Sequence, residues 1–126
     1  MQKPGGRVFK SRTALLFMET LQEFIVNLKK CNKLIIVEGK KDKKTLKDLG
    51  ITKTIAFSSF PIHNIEKIHE KEVIILTDLD YFGKKLHAIL KKELQKRKIK
   101  VDEKFRTFLF KKTKISTIES LKHYVE

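Results

Sequence analysis

The sequence predicts an α/β fold: helices on both faces of a mainly parallel sheet of about four strands, a three-layer α/β/α arrangement. Three observations predict it. The runs "KLIIVEG" (33–39), "TKTIAFS" (52–58) and "EVIILTD" (72–78) hold short, continuous apolar stretches with the β-branched content of strands covered on both sides. Between them lie segments whose apolar residues recur at helical spacing. Parallel strands need such crossovers, so the alternation puts the strands into one sheet.

The elements follow in order. Residues 1–10, with the basic "MQKPGGRVFK", read as a short mobile tail, and 11–126 as one domain, since 126 residues with 40% hydrophobic content suffice to bury roughly two-thirds of the unfolded surface. An N-terminal helix is predicted over 11–30, capped by Ser11, with Leu15, Met18, Leu21, Ile25 and Leu28 in register and Phe17, Phe24 and Val26 widening the stripe. After the first strand, "KKDKKTLKDLG" predicts a short helix held by Leu46 and Leu49 and closed by Gly50. Ser58 or Ser59 is expected to cap a helix with Pro61 in its first turn and Ile62, Ile65 and Ile68 inward.

The third strand leads to an amphipathic helix over Gly83 to Arg97, with Leu86, Ile89, Leu90 and Leu94 inward and Lys84, Lys85, Lys91, Lys92 and Lys96 outward. "KIKV" reads as a fourth strand. Residues 102–126 form a C-terminal extension: Asp102 caps a helix carrying Phe105, Phe108 and Leu109, for which "RTFLF" as a strand is the alternative. Ser116-Thr117-Ile118-Glu119 has the capping-box form, predicting a last helix through Leu121, Tyr124 and Val125.

Twenty-nine Lys and Arg against fifteen Asp and Glu leave a formal charge of +14. Such an excess repels itself unless it meets a polyanion, and nucleic acid, RNA or DNA, is the expected partner. Genome bias or heat adaptation also enriches lysine, but it would bring glutamate along. The apolar runs are too short to span a bilayer, and "ALLFM" is shorter than a secretory core and ends at Glu19, so no membrane association and a cytoplasmic location are expected. The one cysteine, Cys31, excludes an internal disulfide framework and reads as a half-buried hydrophobe. His63, His69, His87 and His123 lack metal-ligand spacing.

The chemistry gathers at the strand ends. Glu38 follows "LIIV" as Asp78 follows "VIILT", with Asp80 two residues on. In open parallel sheets ligands bind beyond the carboxyl ends of the strands. Were the two strands neighbours, at a spacing of ~4.8 Å, three carboxylates would crowd one region and raise one another's pKa. Hard oxygen donors without His or Cys suit Mg²⁺, with Mn²⁺ as the other candidate. Asp78 and Asp80 would point the same way while the chain stays extended. Gly39 and Gly83 allow a tight turn or close approach of a phosphate. Lys40, Lys41, Lys84 and Lys85 stand beside them at predicted helix starts, where anions are favoured. The bland alternative is that the acids simply pair with these lysines.

"LIIVEGKKD" followed by "VIILTDLDYFGKKL" resembles the Toprim (topoisomerase-primase) domain family, whose two motifs end strands in Glu-Gly and in Asp-x-Asp with a glycine three residues on. The resemblance covers about 33–101 and is greatest to small stand-alone archaeal Toprim proteins and to the N-terminal Toprim part of the bacterial ribosomal-RNA maturase. It implies Mg²⁺-dependent phosphoryl transfer on nucleic acid, with Glu38 as acid/base residue or metal ligand, Asp78 and Asp80 as metal ligands, and Gly39 and Gly83 as the family glycines. A small nuclease of RNA processing or DNA repair is the expected function, and a non-catalytic nucleic-acid-binding subunit with protein partners in such an assembly is the alternative. Neither a topoisomerase's tyrosine-bearing domain nor a primase's nucleotide-binding regions are found in the chain. Tyr81 is expected to pack or touch ligand, and Phe82 stands where relatives often carry polar residues. Phe57, Phe60 and Phe82 could stack on bases. An aspartyl-phosphate phosphatase reading of "DLDYF" fails on position, because that motif belongs on the first strand with a small hydroxyl residue after it.

Overall fold

A computed structural model of the chain describes residues 18–59 and 62–123. Four parallel strands, β1 (Leu34–Val37), β2 (Thr54–Ala56), β3 (Glu72–Leu76) and β4 (Lys100–Asp102), form one sheet in the order β2-β1-β3-β4. Helices cover both faces, as the alternation predicted. Side chains alternate across a strand, so β1 and β3 feed two cores at once. Ile35, Val37, Ile74 and Leu76 join Phe24, Ile25 and Leu28 of α1 (Leu21–Cys31), Leu46 of α2 (Lys40–Asp48) and Phe105, Phe108 and Leu109 of α4 (Lys104–Lys112). On the opposite face Leu34, Ile36, Val73 and Ile75 meet Ile65, Ile68 and the Leu86, Leu90 and Leu94 stripe of α3 (Tyr81–Lys96).

Where the structure departs from the sequence reading, local capping chemistry is the reason. Residues 18–20 are not helical, and α1 begins at Leu21. Thr20 has an extended backbone, its hydroxyl accepts from the Glu23 N–H at 3.0 Å, and the Glu23 carboxylate accepts from the Thr20 N–H at 3.1 Å. This reciprocal pair satisfies two helix-end donors and fixes the start. Ser11 as a cap, the basic tail, Phe60, Pro61, Tyr124 and Val125 lie outside the described residues.

The segment after β2 makes only 3₁₀ turns, Phe57–Ser59 and Ile62–Lys67, instead of the predicted helix. It still buries Ile65 and Ile68, because i, i+3 spacing serves a three-residue turn as well as a helix. "RTFLF" is helical and belongs to α4, stacked through Phe24 on Phe108 and edge-on to Phe105, at centroid distances of 5.7 and 5.8 Å. The position before α4 is Glu103, whose side chain makes no cap bond, while the Asp102 carboxylate one residue earlier accepts from the Lys104 N–H at 3.0 Å. The predicted capping box at Ser116–Glu119 does not form. Ile118–His123 is a 3₁₀ turn, and the Glu119 carboxylate reaches forward to Lys122 at 3.2 Å.

Gly50 closes α2 as expected, with φ +90° and the Ile51 N–H returning to the Leu46 carbonyl at 2.8 Å. Among the described residues no helix is long and apolar enough to cross a membrane.

Candidate functional site

Strands β1 and β3 are neighbours in register, Val37 opposite Leu76, so Glu38 and Thr77 leave the sheet side by side. The next residue, Asp78, is tied back to β1 directly: its backbone N–H donates to Glu38 Oε2 at 2.7 Å. One oxygen of Asp78, Oδ1, accepts from the Ile118 N–H at 2.9 Å, and the Leu79 N–H donates to the Ser116 carbonyl at 2.9 Å. The C-terminal turn therefore closes over the strand end. Asp80 has a different setting. The strand stops at Leu76, so the extended geometry that would align Asp78 with Asp80 is lost. Asp80 is the N-cap of α3, its Oδ1 accepting from the Gly83 N–H at 2.7 Å. For the same reason α3 starts at Tyr81, two residues before the predicted Gly83.

Gly83 is buried where α3 meets both motifs. A Cβ there would stand 2.6 Å from Glu38 Oε2 and closer still to the Asp78 carbonyl oxygen, so only glycine lets the helix approach. The Thr77 hydroxyl donates to the Gly83 carbonyl at 2.8 Å, locking the same contact from the other side. Gly39 differs. Its backbone is extended, φ −138° and ψ 177°, and a Cβ would meet nothing within 4 Å. The protein itself has no steric need of a glycine at that position. Its N–H donates to Asp42 Oδ2 at 3.2 Å.

Two residues that the sequence reading did not assign to the site belong to it. Asp42, buried in the first turn of α2, and Glu119, on the C-terminal turn, share with Glu38 a cleft of about 460 Å³. The cleft is lined at the β1–α2 junction by Glu38, Gly39, Lys40, Lys41 and Asp42, and from three other segments by Ser58, Phe82 and Glu119. Asp42 was visible in "EGKKD", and Glu119 in the "STIE" quartet, but no periodicity or spacing marks either as a site residue. Arg106 of α4 is a third. Its guanidinium chelates the carbonyls of Thr77 at 3.1 Å and Asp78 at 2.9 Å, fixing the backbone under the acids.

The electrostatics separate these acids from the rest. Burial raises the pKa of Glu38, and the nearby charges of Asp78, Asp80 and Asp42 add to the rise against the Asp78 N–H bond. Burial also raises Asp78, reinforced by Asp80 and Glu119 and opposed by the Ile118 N–H and Arg106. It raises Asp42, with Asp78 and Glu119 adding to it. Among the described residues none of Glu38, Asp42, Asp78 or Asp80 is in an ion pair. Lys40, Lys41, Lys84 and Lys85 are exposed and do not neutralise them.

Asp102 is the counterexample within the same fold. Burial opposes its ionisation too, but Lys33 at 2.7 Å, the Lys104 N–H and the Lys104 ammonium at 3.2 Å hold its carboxyl below the ordinary value. A structural acid here recruits lysines, whereas the strand-end acids do not. The hollow of about 520 Å³ beside β4 is of the structural kind, for three of its four acids, Glu72, Asp102 and Glu103, are paired with Lys33, Lys104 and Lys91, and the fourth, Glu19, is exposed.

Among the described residues no three of the His, Cys, Asp and Glu side chains converge as a ready-made metal cage. Glu38, Asp42, Asp78 and Asp80 each spend one oxygen on a backbone N–H, at 2.7, 3.2, 2.9 and 2.7 Å respectively. Such bonds hold a carboxylate in place and leave its second oxygen for another partner. The donor set fits Mg²⁺, which binds through one or two carboxylates and keeps several waters.

The sequence model of the family described as "Toprim domain" matches residues 32–103. A UPF0292 protein of Methanocaldococcus jannaschii is 41% identical over 118 residues, covering 86% of this chain and 92% of that relative. One from Thermococcus sibiricus is 37% identical over 106 residues, covering 80% of this chain and 84% of the relative. A solved structure of a protein from Aquifex aeolicus superposes with a TM-score of 0.75 at 37% identity, covering 80% of this chain and 97% of that one. Arg106, Ile118 and Glu119 all lie beyond the family match, although they bear on its strand end.

Proposed function

From a chain that belongs to the Toprim domain family, with its strand-end acids held unpaired, we propose a Mg²⁺-dependent nuclease acting on RNA or DNA, in RNA processing or DNA repair. The observation that carries this reading is the contrast between the lysine-paired Asp102 and the unneutralised Glu38, Asp42 and Asp78. A protein with 29 basic residues gives its most crowded carboxylates no ion pair, and Arg106, spent on the Thr77 and Asp78 carbonyls, only partly offsets their charge, which fits a site kept for a divalent cation. Glu38 and Asp78 would hold the ion, with Asp80 beside them at the start of α3. A bound Mg²⁺ would supply positive charge to the phosphoryl oxygen and lower the pKa of attached water.

The chain's own residues do the rest. Arg106 and the Ile118 N–H hold the Asp78 peptide and carboxylate in one orientation, and Gly83 keeps the start of α3 close enough for Asp80 to share the region. With the ion on the aspartates alone, Glu38 takes the acid/base role instead and accepts and returns the proton of hydrolysis. Lys40 and Lys41 on the cleft rim, with Lys84 and Lys85 on α3, give a polyanion its attraction.

The test is incubation of end-labelled RNA and DNA with the purified chain. Cleavage is expected with Mg²⁺ or Mn²⁺, absent with EDTA, and reduced by at least ~100-fold in Glu38→Gln and Asp78→Asn, the scale of losing a positioned acid/base group. Salt-sensitive binding without cleavage in any metal would instead support the second reading, a non-catalytic nucleic-acid-binding subunit.

A further inference from the structure

We propose that Tyr81 and Phe82 form a stacking platform for unpaired bases, so that the acid cleft takes single-stranded rather than duplex nucleic acid; this rests on the nucleic-acid reading above. Asp80 fixes the first turn of α3 and Gly83 turns its buried side toward Glu38, which leaves the two residues between them facing out. Tyr81 is 79% exposed and Phe82 61%. Phe24, Phe105 and Phe108 are buried, and Phe57 packs partly against the α3-side core, which commits it to the fold. A phenylalanine left in water forgoes the gain of burying its ring, so two adjacent exposed rings are a cost that folding does not explain.

Their position identifies the occupant. Phe82 lines the cleft that holds Glu38, Asp42 and Glu119, and the Lys85 ammonium lies 5.9 Å from the centre of the Tyr81 ring. An aromatic face beside an ammonium matches a nucleotide, whose base offers a π-face and whose phosphate offers a negative charge. The acids of the cleft repel a polyanion, so a strand reaching them needs attraction next to them. Stacking supplies it without added charge, and Lys40, Lys41, Lys84 and Lys85 supply the electrostatic part. In a duplex the base faces are already stacked on one another, so only an unpaired segment can present them. Ile89, 45% exposed and seven residues after Phe82, extends the apolar strip along α3 away from the cleft.

The experiment measures fluorescence anisotropy of labelled single-stranded oligoribonucleotides and oligodeoxyribonucleotides, an abasic strand of equal length, and the matching duplexes, with Ca²⁺ in place of Mg²⁺. Wild type is expected to bind single strands more tightly than duplexes or the abasic strand, and the sugar preferred identifies RNA or DNA as the source. Tyr81→Ala and Phe82→Ala should each weaken single-strand binding by roughly 5- to 150-fold, the range for loss of one base stack. The melting temperature should stay unchanged, because both rings are exposed. Phe82→Trp should restore affinity, with its fluorescence quenched on binding; the chain has no tryptophan of its own to obscure the signal. Equal binding by the alanine variants, or equal affinity for the abasic strand, overturns the platform while leaving the metal and phosphate reading standing. Failure of wild type to bind any of these nucleic acids overturns both and assigns the rings to a protein partner.

Discussion

Asp78→Asn is expected to make the metal-free protein more stable at neutral pH while abolishing its stabilisation by Mg²⁺. Asparagine keeps the Oδ1 that accepts from Ile118 and removes the charge that burial, Asp80 and Glu119 all oppose. Substitutions that relieve a strained functional site commonly add about 0.5–2 kcal/mol, and a gain in that range is expected here. The pH dependence fixes the sign. Glu38, Asp42 and Asp78 have folded pKa values raised above their unfolded ones, so the fold binds their protons more tightly. Their destabilising contribution is therefore full above the raised values and relieved as pH falls through them toward the ordinary carboxylate range of about 4. The gain from Asp78→Asn should be present at pH 7 and fade as the solution is acidified. Asp102 works in the opposite sense. Its depressed value stabilises the fold above the ordinary carboxylate range, and that stability is lost as pH falls further, through the depressed value. Thermal melts across pH, with EDTA and with Mg²⁺, measure both. A variant less stable than wild type in EDTA at pH 7 would remove the claim that the site is held in electrostatic tension.

Gly83→Ala carries the second large effect. The added methyl meets the Asp78 carbonyl and the Glu38 carboxylate, and one of those contacts is backbone, which cannot swing aside. Overpacking of this kind costs about 1–3 kcal/mol, and either the start of α3 or Glu38 must move, so metal-dependent activity should fall with stability. Gly39→Ala is the matched control. It has an extended backbone and nothing within 4 Å of its Cβ, so stability should change by less than about 0.5 kcal/mol. Phosphate approach over that glycine predicts that nucleic-acid affinity nevertheless drops in Gly39→Ala. Denaturant unfolding and anisotropy binding on the two alanine variants separate a glycine needed by the fold from one needed by the ligand.

The contrast between these glycines shows what the sequence could and could not convey. Both end a motif in the same way, and only the approach of α3 distinguishes them. The strands were legible because "LIIV" and "VIIL" are buried on both faces and need no partner information to be recognised. Their adjacency, on which the convergence of Glu38 and Asp78 depends, is a property of the sheet order β2-β1-β3-β4 and follows from no local pattern. The sequence aligns Asp80 with Asp78 along an extended chain, whereas helix capping takes one of its oxygens to the Gly83 N–H. Arg106, 28 residues after Asp78, and Ile118, 40 after it, bond to that aspartate from the C-terminal extension. A backbone N–H such as that of Ile118 has no side-chain signature at all. Thr20 and Glu23 do carry one, as a capping box inside the apolar periodicity of 11–30, which the reading from Ser11 passed over.

Direct measurement of divalent-ion binding tests the central claim most closely. Titration of the metal-free protein with Mn²⁺ at neutral pH, followed by the loss of the free-ion electron paramagnetic resonance signal, should show saturable binding that Mg²⁺ displaces and that Glu38→Gln and Asp78→Asn each abolish. Wild-type protein that takes up no Mn²⁺ saturably, or takes it up equally in both variants, would contradict the assignment of these strand-end carboxylates to a metal.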